Sequence, residues 1–474
     1  MVTQGTSFNE VDALKRSSQH FEMMKNWLDT NSHFKLMTLN QQALSEFHRK
    51  GVTFTVYSDA KNTERVIPFD IIPRIITQED WRTLESGCKQ RIQALNAFLH
   101  DIYHEQNIIK AGIMPAEHIL TNECFEPWMV NIDLPNPIYA HISGIDLIRS
   151  DDGQYYVLED NLRTPSGISY LLESRQISEH LLPELFEAFD IAPVKNYPKM
   201  LLQSLIECSN KPQPLIVLLT PGRYNSAYYE HTFLAREMGV PLVNNYDLFV
   251  EDNKVFMKTI LGREQVNVIY RRLDDAYLDP LAFRPDSMLG IPGLMSAYRT
   301  GNVMISNAPG TGIADDKSIY PYVNEMVRFY LNEEPILKNV PTWQCRKPED
   351  LAYVMAHLAE LVVKETQGSG GYGMLIGPHS TTEEIEAYRQ RILADPAGFI
   401  AQPTLSLSTC PTCVEEGIAP RHIDLRPFVL ASPEQIRIVP GGLTRVAMRK
   451  NSLVVNSSQG GGVKDTWVLQ GEGI

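Results

Sequence analysis

The sequence predicts a mixed protein that combines α+β and parallel α/β units, and three stretches lead to this prediction. Residues 214–250 run through a buried-strand pattern, a helix and a second strand, the signature of a parallel α/β unit. Residues 138–161 contain two strand-like runs around the turn signal SDDG, which predicts a β-hairpin. Residues 361–377 place a glycine-rich loop between two apolar segments, which allows the backbone to approach a ligand closely.

Length and composition exclude several classes of protein. The chain has 474 residues, enough for two or three domains, with 43% apolar and 21% charged residues. The net charge of −14 argues against non-specific binding to nucleic acid or anionic membranes. The first residues are polar and lack a signal-peptide core, and no apolar run approaches the roughly 20 residues of a membrane helix. We therefore expect a cytoplasmic protein without a membrane or nucleic-acid partner.

The first part of the chain is predicted to be helical. Residues 1–70 form a predicted N-terminal helical region, and helical patterning continues to about residue 110. The stretch WRTLESGCKQRIQALNAFLHDIYHEQ has apolar residues at helical spacing and no proline. The hairpin that follows carries Asp146 on its first strand and Glu159 on its second. We assign residues 71–195 to one unit that contains this hairpin.

Residues 196–306 form the predicted parallel α/β unit. The run PLIVLLTPG reads as a buried strand and a turn, SAYYEHTFLAREMGV as a helix with a glycine stop, and PLVNNYDLFV as the next strand. QVNVIYRRLDDAYLDP predicts a further strand with Arg271 and Arg272 at its carboxyl end. Ligands collect at that end of such sheets, so this unit is a candidate for substrate binding.

Residues 307–474 form the last predicted unit. ADDKSIYPYVNEMVRFYL is predicted as a helix that carries Lys317. A helix or strand then leads to Lys364, the glycine-rich loop and an apolar strand, after which strands and turns alternate. No internal repeat and no low-complexity linker is present in the sequence.

Three oxygen-bearing side chains on the predicted hairpin suggest a magnesium site. Side chains two apart share a face of a strand, so Glu159 and Asn161 lie together, and the neighbouring strand can add Asp146. Magnesium takes a few protein oxygens and completes its shell with water and phosphate oxygens. The alternative is a solvated acidic strand edge, which Val157 and Leu158 make less favourable because they indicate partial burial.

The stretch KETQGSGGYGMLIG predicts a phosphate-cradling loop. Four glycines in six residues allow backbone N–H groups to turn toward an anion, and Lys364 adds positive charge. No GK[ST] follows, which excludes a Walker loop, and a strand rather than a helix follows, which excludes a Rossmann loop. The alternative is a hairpin tip without a ligand.

Arginines on the late strands need anionic partners. Arg426 in DLRPF and Arg445 in TRVAM alternate with apolar residues, and a buried arginine requires a counter-ion. That partner is Asp424, Asp465 or a ligand phosphate. NSSQGGG from Asn456 is a second loop able to approach a phosphate, whereas Lys317 on its own reads as a surface lysine.

The cysteines and histidines give weaker signals. Six cysteines are scattered, and Cys410 with Cys413 forms a lone C-x-x-C, half of a zinc site, which we predict to be chance spacing in a loop. No nucleophile elbow G-x-S-x-G is present. His141, His231 and His422 are isolated, and core or surface roles are favoured for each.

Together these motifs resemble the ATP-grasp superfamily. Lys317, Lys364 with QGSGGYG, IAQP around Gln402, DLRPFVL and TRVAMRKNSLVVNSSQGG are similar to its phosphate, hinge and Arg-strand-Asn segments. The ID…EvN…SPxG segment that ordinarily comes last lies near the start here, as GIDLIRSDDGQYYVLEDNLRTPSG. This rotated order resembles the circularly permuted ATP-grasp proteins related to glutathionylspermidine synthetase. The resemblance covers roughly residues 70–474.

The resemblance implies a circularly permuted ATP-grasp fold with an inserted Rossmann-like substrate domain. It implies ATP and Mg²⁺ as ligands, with residues 71–195 as part of the grasp core and residues 307–474 as the lid and the remaining core. The implied metal ligands are Asp146, Glu159 and Asn161. The implied ATP-binding residues are Lys317, Lys364, Gly370, Gly371, Tyr372, Gly373, Gln402 and Asn456. The implied catalytic residues are Arg163, Arg426 and Arg445, and the implied substrate-binding residues are Ser166, Asn225, Glu230 and Arg272, with Glu230 as a candidate to attract an amine.

The implied reaction is ATP-dependent joining of a carboxylate and an amine. The γ-phosphate of ATP activates a small-molecule or peptide carboxylate as an acyl phosphate, and an amine then displaces phosphate to give an amide. Two alternatives also use the same nucleotide grip: a phosphotransferase with a stable phosphorylated product, and a catalytically silent ATP-binding regulator. Substrate identity and oligomeric state stay open at this point.

Overall fold

The structure is a computed structural model that describes residues 7–14, 18–56, 63–134, 136–209, 211–368, 373–450, 452–456 and 460–471. Within these residues, no helix is both long and apolar enough to cross a membrane.

The N-terminal section combines helices with a short hairpin. Helices α1 (Glu10–Ala13), α2 (Ser18–Thr30) and α3 (His33–Arg49) precede the antiparallel strands β1 (Thr53–Val56) and β2 (Thr63–Val66). The side-chain oxygen of Ser32 accepts a hydrogen bond from the Lys35 N–H and so caps α3. The prediction of a purely helical region over residues 1–70 therefore misses this hairpin.

A ten-stranded sheet forms the centre of the molecule. Its main path runs β13-β5-β4-β19-β22-β23-β3, with β18 beside β19 and with β20 between β4 and β21. Antiparallel pairing dominates this sheet, and β3 pairs in parallel with β23. Its strands are β3 (Phe69–Ile76), β4 (Ile142–Arg149), β5 (Tyr155–Asn161), β13 (Lys338–Asn339), β18 (Thr409–Val414), β19 (Gly417–Arg426), β20 (Phe428–Ala431), β21 (Ile436–Ile438), β22 (Leu443–Val446) and β23 (Gly462–Val468).

Early and late segments of the chain are therefore interleaved in one sheet. β4 lies between β5 and β19, and β22 follows β19, so one strand separates the hairpin from the Arg445 strand. The strands β3, β4 and β23 are buried along their whole length, which explains why their sequences are largely apolar. This arrangement matches the rotated order of motifs in the sequence.

Long helices cover the large sheet. The 26-residue helix α4 (Gln78–Tyr103) is capped by the Thr77 side chain and buries Leu84, Leu95 and Phe98 against the core. Asp160 of β5 faces this helix and accepts hydrogen bonds of 2.6 and 2.7 Å from Arg91. The other helices of this part are α5 (Asn107–Lys110), α6 (Ala116–Leu120), α7 (Ile168–Leu181) and α8 (Pro183–Ala188), with a 3₁₀ turn at Pro127–Met129.

The middle unit has the predicted parallel sheet. Its four strands run β12-β11-β6-β7, all parallel, and a separate antiparallel sheet runs β10-β9-β8. Arg271 is the last residue of β11, as the sequence predicts. The strands are β6 (Ile216–Leu219), β7 (Leu242–Val243), β8 (Leu248–Glu251), β9 (Lys254–Thr259), β10 (Gly262–Val266), β11 (Val268–Arg271) and β12 (Met304–Ser306), and the helices are α9 (Tyr197–Glu207), α10 (Tyr228–Met238), α11 (Asp275–Leu278) and α12 (Leu294–Arg299).

Residues 343–403 contain a small antiparallel sheet in the order β14-β17-β15-β16, whereas the other strands after residue 307 belong to the large sheet. The small sheet lies with α15 and α16 around its own apolar core. Its strands are β14 (Trp343–Gln344), β15 (Leu361–Glu365), β16 (Leu375–Ile376) and β17 (Phe399–Pro403). The helices of this region are α13 (Gly312–Asp315), α14 (Val323–Met326), α15 (Pro348–His357) and α16 (Thr382–Ala394), with 3₁₀ turns at Tyr320–Tyr322, Gly377–His379 and Pro396–Gly398 and a π-helical turn at Val327–Leu331.

Two local predictions need correction. Lys317 lies in a turn after α13 rather than in a continuous helix, because Asp316 is extended and its carboxylate accepts a hydrogen bond from the Ser318 N–H. Cys410 and Cys413 lie on strand β18 rather than in a loop, and both are buried. Their separation of three residues turns them toward opposite faces of the strand, so they do not form half of a metal site.

Candidate functional site

Two adjoining cavities form one cleft between the large sheet and the small sheet. The first is about 1020 Å³ and the second about 2130 Å³, counting the solvent at their mouths. Glu159, Lys317, Gly368, Arg445 and Asn456 line both cavities, so the two are continuous. The first is apolar over most of its surface. Its apolar side chains are Ile148, Leu158, Val362, Met374, Ile376, Leu405, Leu407, Leu453, Val454 and Val455.

Lys364 and Gln402 lie on neighbouring strands of the small sheet. The Lys364 Nζ donates a 2.8 Å hydrogen bond to Gln402 Oε1, and Gln402 Nε2 donates to Thr342 Oγ1 at 3.0 Å. Burial lowers the pKa of Lys364 to about 8, against the opposing attraction of Glu159 and with a further lowering from Lys317. The site therefore holds a lysine that titrates close to neutral pH beside an apolar slot.

Lys317 lies between the start of the glycine-rich loop and the β4–β5 hairpin and contacts both. Its Nζ donates a 2.6 Å hydrogen bond to the Gly368 carbonyl and lies 3.5 Å from a Glu159 oxygen. Its backbone N–H donates to the Thr366 carbonyl at 3.0 Å. The turn that replaces the predicted helix thus places this ammonium group inside the cleft.

A buried ionic network joins Asp146 to the late strands. Arg426 donates to both Asp146 oxygens, and Arg445 donates to Asp146 Oδ2 at 2.7 Å and also pairs with Asp424. Burial acts to raise the pKa of the Asp146 carboxyl, but Arg426 and Arg445 outweigh burial and hold it well below its usual range. Asp424 is one of the partners that the sequence suggested for these arginines, whereas Asp465 pairs with Arg175.

The hairpin residues have the donor chemistry of a magnesium site. Asp146 and Glu159 are direct cross-strand partners, and Asn161 is two residues from Glu159, so all three lie on the face opposite Asp160. Among the described residues, Glu159 has two long cation contacts, of 3.5 and 3.9 Å, and no shorter one, so its oxygens are available to a ligand. The described residues contain no cluster of three His, Cys, Asp or Glu able to hold a metal. An ion here would need the Asn161 amide and phosphate oxygens, the mixed shell that magnesium uses with nucleotides.

The second cavity is polar and reaches the middle unit. Arg163 lines it and is ion-paired with Asp315 at 2.7 Å, and the Leu162 N–H donates to the same carboxylate. Asn225 lines the cavity at the start of α10, where its side chain accepts a hydrogen bond from the Ala227 N–H. Asn456 lies where the two cavities meet.

Glu230 and Arg272 are both buried and hold the loop of residues 164–169. Glu230 accepts hydrogen bonds from the N–H groups of Gly167 and Ser169 at 2.8 and 3.0 Å. Arg272 donates to the Pro165 carbonyl at 2.7 Å, to the Ser166 hydroxyl, and to Glu230 at 3.2 Å. The expectation that Glu230 attracts an amine therefore needs correction, because its carboxylate is 0% exposed and already has a cationic partner. Both residues position the loop.

The glycine-rich loop is described only at its two ends. Gly370, Gly371 and Tyr372 lie outside the described residues. Gly373 has a φ of +67°, a conformation that favours glycine. Gly368 at the other end accepts the Lys317 hydrogen bond.

Sequence reasoning missed Asn307, which holds both strands of the hairpin. Its side-chain oxygen accepts hydrogen bonds from the His141 and Ile142 N–H groups at 2.7 and 2.8 Å. Its amide nitrogen donates to the Ile142 and Leu162 carbonyls, each at 2.7 Å. An asparagine in a loop gives no sequence signal for such a role, because the partners lie more than 140 residues away.

Comparisons with known proteins agree with this geometry. The family described as "Circularly permuted ATP-grasp type 2" has a model that matches residues 73–447. A relative from Synechocystis sp., named "Uncharacterized protein sll0335", is 52% identical over 447 residues, covering 94% of this chain and 93% of the relative. A Frankia alni protein named "Putative glutamate--cysteine ligase 2-3" is 43% identical over 88% of this chain, which spans 48% of that protein.

A solved structure shares the fold. It is a glutathione synthetase-like effector (GSS30) from Globodera pallida in the apo form, with a TM-score of 0.60. The match covers 93% of this chain and 98% of that chain at 11% sequence identity. At this identity the likeness concerns the fold alone.

Proposed function

The chain belongs to the circularly permuted ATP-grasp type 2 family, and we propose that it is an ATP- and magnesium-dependent carboxylate–amine ligase. The observation that carries this proposal is the convergence of Lys317, Lys364, Glu159, Asp146 and Arg445 around one cleft, although they come from widely separated segments. Two lysines beside two carboxylates suit a magnesium-bound triphosphate better than any uncharged ligand.

We place ATP across the two cavities. The apolar slot takes the adenine ring, with Gln402 as the polar group at its edge, and the two lysines take the phosphates. Glu159, Asn161 and Asp146 would hold magnesium, which supplies neutralisation of phosphate charge when it is bound. Gly373, Asn456 and the loop residues 370–372 stay candidates for closing over the phosphates.

The polar cavity would hold the carboxylate that is activated. An oxygen of this carboxylate attacks the γ-phosphorus of ATP, giving an acyl phosphate and ADP. An amine then attacks the acyl carbon and loses a proton, and phosphate departs with the former carboxylate oxygen. Arg426 and Arg445 lie where they can offset the negative charge that develops, and Arg163 and Ser166 line the cavity beyond them.

The family relatives support amide formation. The Frankia alni protein carries the name of a glutamate–cysteine ligase, an activity that joins a carboxylate and an amine. Because this chain spans 48% of that protein, we carry over the class of reaction and not the two substrates. We further propose small-molecule or peptide substrates and a cytoplasmic reaction, where ATP is available.

Product analysis tests the proposal. The protein is incubated with MgATP and a panel of amino acids, short peptides and amines, and ADP, phosphate and new amides are measured by mass spectrometry. We expect ADP and phosphate in equal amounts, one amide for each ADP, and loss of all three products in Glu159→Gln. A stable phosphorylated substrate would instead support the phosphotransferase alternative, and tight ATP binding without products would support a silent ATP-binding protein.

A further inference from the structure

The end of the middle parallel sheet that faces the cleft contains hydrogen-bond donors without internal partners. Strand β6 ends at Leu219, and the chain then runs through residues 220–227 into helix α10. Asn225, Ser226, Ala227 and His231 from this segment line the polar cavity. Ligands of parallel α/β sheets bind at this edge, where loops leave the carboxyl ends of the strands.

His231 presents a defined tautomer to this cavity. Thr220 Oγ1 lies 2.9 Å from His231 Nδ1 and accepts a hydrogen bond from the Gly222 N–H at 3.1 Å. No other acceptor among the described residues bonds the Thr220 hydroxyl, so we assign the hydroxyl as the donor to Nδ1. With this assignment the neutral ring carries its own proton on Nε2.

The Nε2–H group of His231 has no hydrogen-bond partner within the described part of the chain. The residue is 1% exposed, yet it lines the cavity. Burial, with a further contribution from Arg272, lowers the pKa of His231 to about 2, so the ring is a neutral donor. Because the Nε2 atom is open to the cavity rather than enclosed by protein, a ligand acceptor in the cavity can receive its hydrogen bond.

The start of helix α10 adds further donors. The N-cap position is Ala227, which has no side-chain capping bond. The Tyr228 N–H donates to the Asn225 carbonyl at 3.0 Å, whereas the Tyr229 and Glu230 N–H groups have no acceptor among the described residues. Ser226 is half-buried, and its hydroxyl makes no hydrogen bond to another described residue. This helix has 11 residues, so its N-terminus carries a positive dipole end that attracts anions.

The nearby carboxylate does not cancel this attraction. Glu230 also lines the cavity, but its carboxylate accepts hydrogen bonds from the Gly167 and Ser169 N–H groups, and Arg272 is its counter-ion. This end of the cavity therefore combines neutral hydrogen-bond donors with a helix dipole. Among Ser226, Glu230, His231 and Arg272, no guanidinium group is free of a counter-ion, and there is no ammonium group. Such a site suits a singly charged carboxylate better than a doubly charged phosphate.

We infer that Ser226, His231 and the first turn of α10 form a subsite for a carboxylate group of the substrate that is held by the middle unit. The inference rests on the proposed function in one respect, namely that the cleft is a ligase site with two organic substrates. The inference assigns an anionic group to one of these two substrates. The ligand class is thus an amino acid or a peptide with a free carboxylate, and a simple polyamine is excluded at this position.

Paired acids and amides test the subsite without turnover. Ligand-observed NMR uses the full-length protein with a pool of common L-amino acids and, separately, a pool of their C-terminal amides. Titration of the best-binding acid and its own amide then gives two dissociation constants. We expect the acid to bind at least about tenfold more tightly, the effect of a hydrogen bond to a charged group.

Variants assign the preference to the named residues. His231→Phe should remove most of the preference, His231→Gln should retain part of it through its amide N–H, and Ser226→Ala should reduce it. Ser296→Ala, an exposed serine on α12, is the matched control and should behave like the parent protein. Unchanged ATP binding by each variant shows that the fold is intact.

Several results would overturn the inference. They are equal binding of acid and amide, no binding of either pool, tighter binding of inorganic phosphate at the same site, and an acid preference that survives in His231→Phe. The experiments also distinguish a failure of the proposed ligase function from a failure of the subsite. Acid-selective binding without ADP formation would reject the ligase and retain the subsite, whereas ADP formation with equal KM for acids and amides would reject the subsite alone.

Discussion

The charge of Lys364 should make MgATP binding in the cleft depend on pH. Its pKa is lowered to about 8 by burial, below that of a solvated lysine, so the side chain is a cation at pH 7 and becomes neutral as the pH rises through about 8. We therefore expect the Kd for MgATP to rise between pH 7 and pH 9. Bound phosphate favours the cation, so the midpoint in the complex lies above that of the free protein.

Calorimetry over this pH range checks the assignment. Lys364→Met should weaken binding at pH 7 by about tenfold or more, the effect of one charge-assisted hydrogen bond, and should flatten the dependence on pH. Lys347→Met, which alters a lysine outside the cleft lining, is the control. A pH dependence that persists in Lys364→Met would remove Lys364 from the phosphate site.

Asp146 and Glu159 should respond differently to loss of charge. Asp146 is buried between Arg426 and Arg445, so Asp146→Asn should reduce the free energy of unfolding by about 3–5 kcal/mol, the usual effect of breaking a buried ion pair. Glu159 has only long ionic contacts with the described residues, so Glu159→Gln should change the free energy of unfolding by less than about 1 kcal/mol. Urea unfolding at pH 7 measures the free energy of unfolding of both variants.

The pH dependence of unfolding adds a check on the same pair. Since the pKa of Asp146 is depressed in the folded state, its contribution to stability is present above about pH 4, the ordinary value, and is lost as the pH falls below it. The parent protein should therefore lose more stability between pH 5 and pH 3 than Asp146→Asn does. Equal stability of Asp146→Asn and Glu159→Gln at pH 7 would contradict the network.

At the residue scale, the sequence predicted which side chains share a face of a strand better than it predicted which residues those side chains contact. The period of two along a strand was enough to place Glu159 and Asn161 on one face. It was not enough to show that Asp146 is tied to two arginines, because these come from residues 426 and 445. Glu230 misled the prediction because a carboxylate at the start of a helix looks available until its buried partner is known.

At the element scale, the loop of residues 164–169 connects the middle unit to Arg426, which we propose as a catalytic residue. Arg426 Nη1 donates to the Ser166 carbonyl at 3.2 Å, while Arg272 and Glu230 hold the same loop from the other side. Glu230→Gln removes the charge that accepts the Gly167 and Ser169 N–H bonds. We expect hydrogen exchange at these two amides to accelerate by about tenfold or more, since each loses a charge-assisted bond.

The same variant separates a positioning role from a binding role. If Glu230 only positions the loop, kcat should fall while the KM for ATP stays near the parent value. Tyr229→Phe removes a hydroxyl that bonds the Glu173 carboxylate at 2.9 Å, away from the loop, and is the neighbouring control. Unchanged exchange at Gly167 and Ser169 in Glu230→Gln would refute this role.

Elements with strong local patterns were predicted correctly, and those set by tertiary contacts were not. The hairpin β4–β5 and the succession of β6, α10 and β7 follow from alternation, turn residues and a glycine stop. The single strand predicted over residues 241–250 is wrong, because β7 and β8 divide this stretch between two sheets. The turn at Lys317 replaced a predicted helix because Asp316 bonds the backbone locally and Pro321 interrupts the helical run. Strand β18 replaced a predicted loop because pairing with β19 fixes it.

At the scale of the whole molecule, an early strand and the last strand are paired within one sheet. β3 pairs with β23, and the buried Lys464 ammonium pairs with the Asp70 carboxylate between them. Lys464→Met leaves Asp70 buried without its counter-ion and should lower the free energy of unfolding by about 3–5 kcal/mol. The double variant Asp70→Leu/Lys464→Met should recover part of this loss.

Chemical denaturation of the single and double variants measures that coupling. Because the early and late strands share this sheet, the fluorescence and circular dichroism transitions should shift together. Loss of less than about 1 kcal/mol in Lys464→Met would show that the chain ends contribute little to stability. The motif order in the sequence predicted that late strands share a sheet with the β4–β5 hairpin, but it predicted neither the pairing of β3 with β23 nor their ion pair, because Asp70 and Lys464 are 394 positions apart.

The central claim, a ligase that acts through an acyl phosphate, is tested most directly by following one oxygen atom. The carboxylate substrate identified in the product screen is labelled with ¹⁸O and incubated with MgATP and the amine, and the phosphate is analysed by mass spectrometry. The mechanism predicts one ¹⁸O atom in the phosphate for each amide formed, and no phosphate in Glu159→Gln. Amide formation with unlabelled phosphate, or release of AMP in place of ADP, would contradict it.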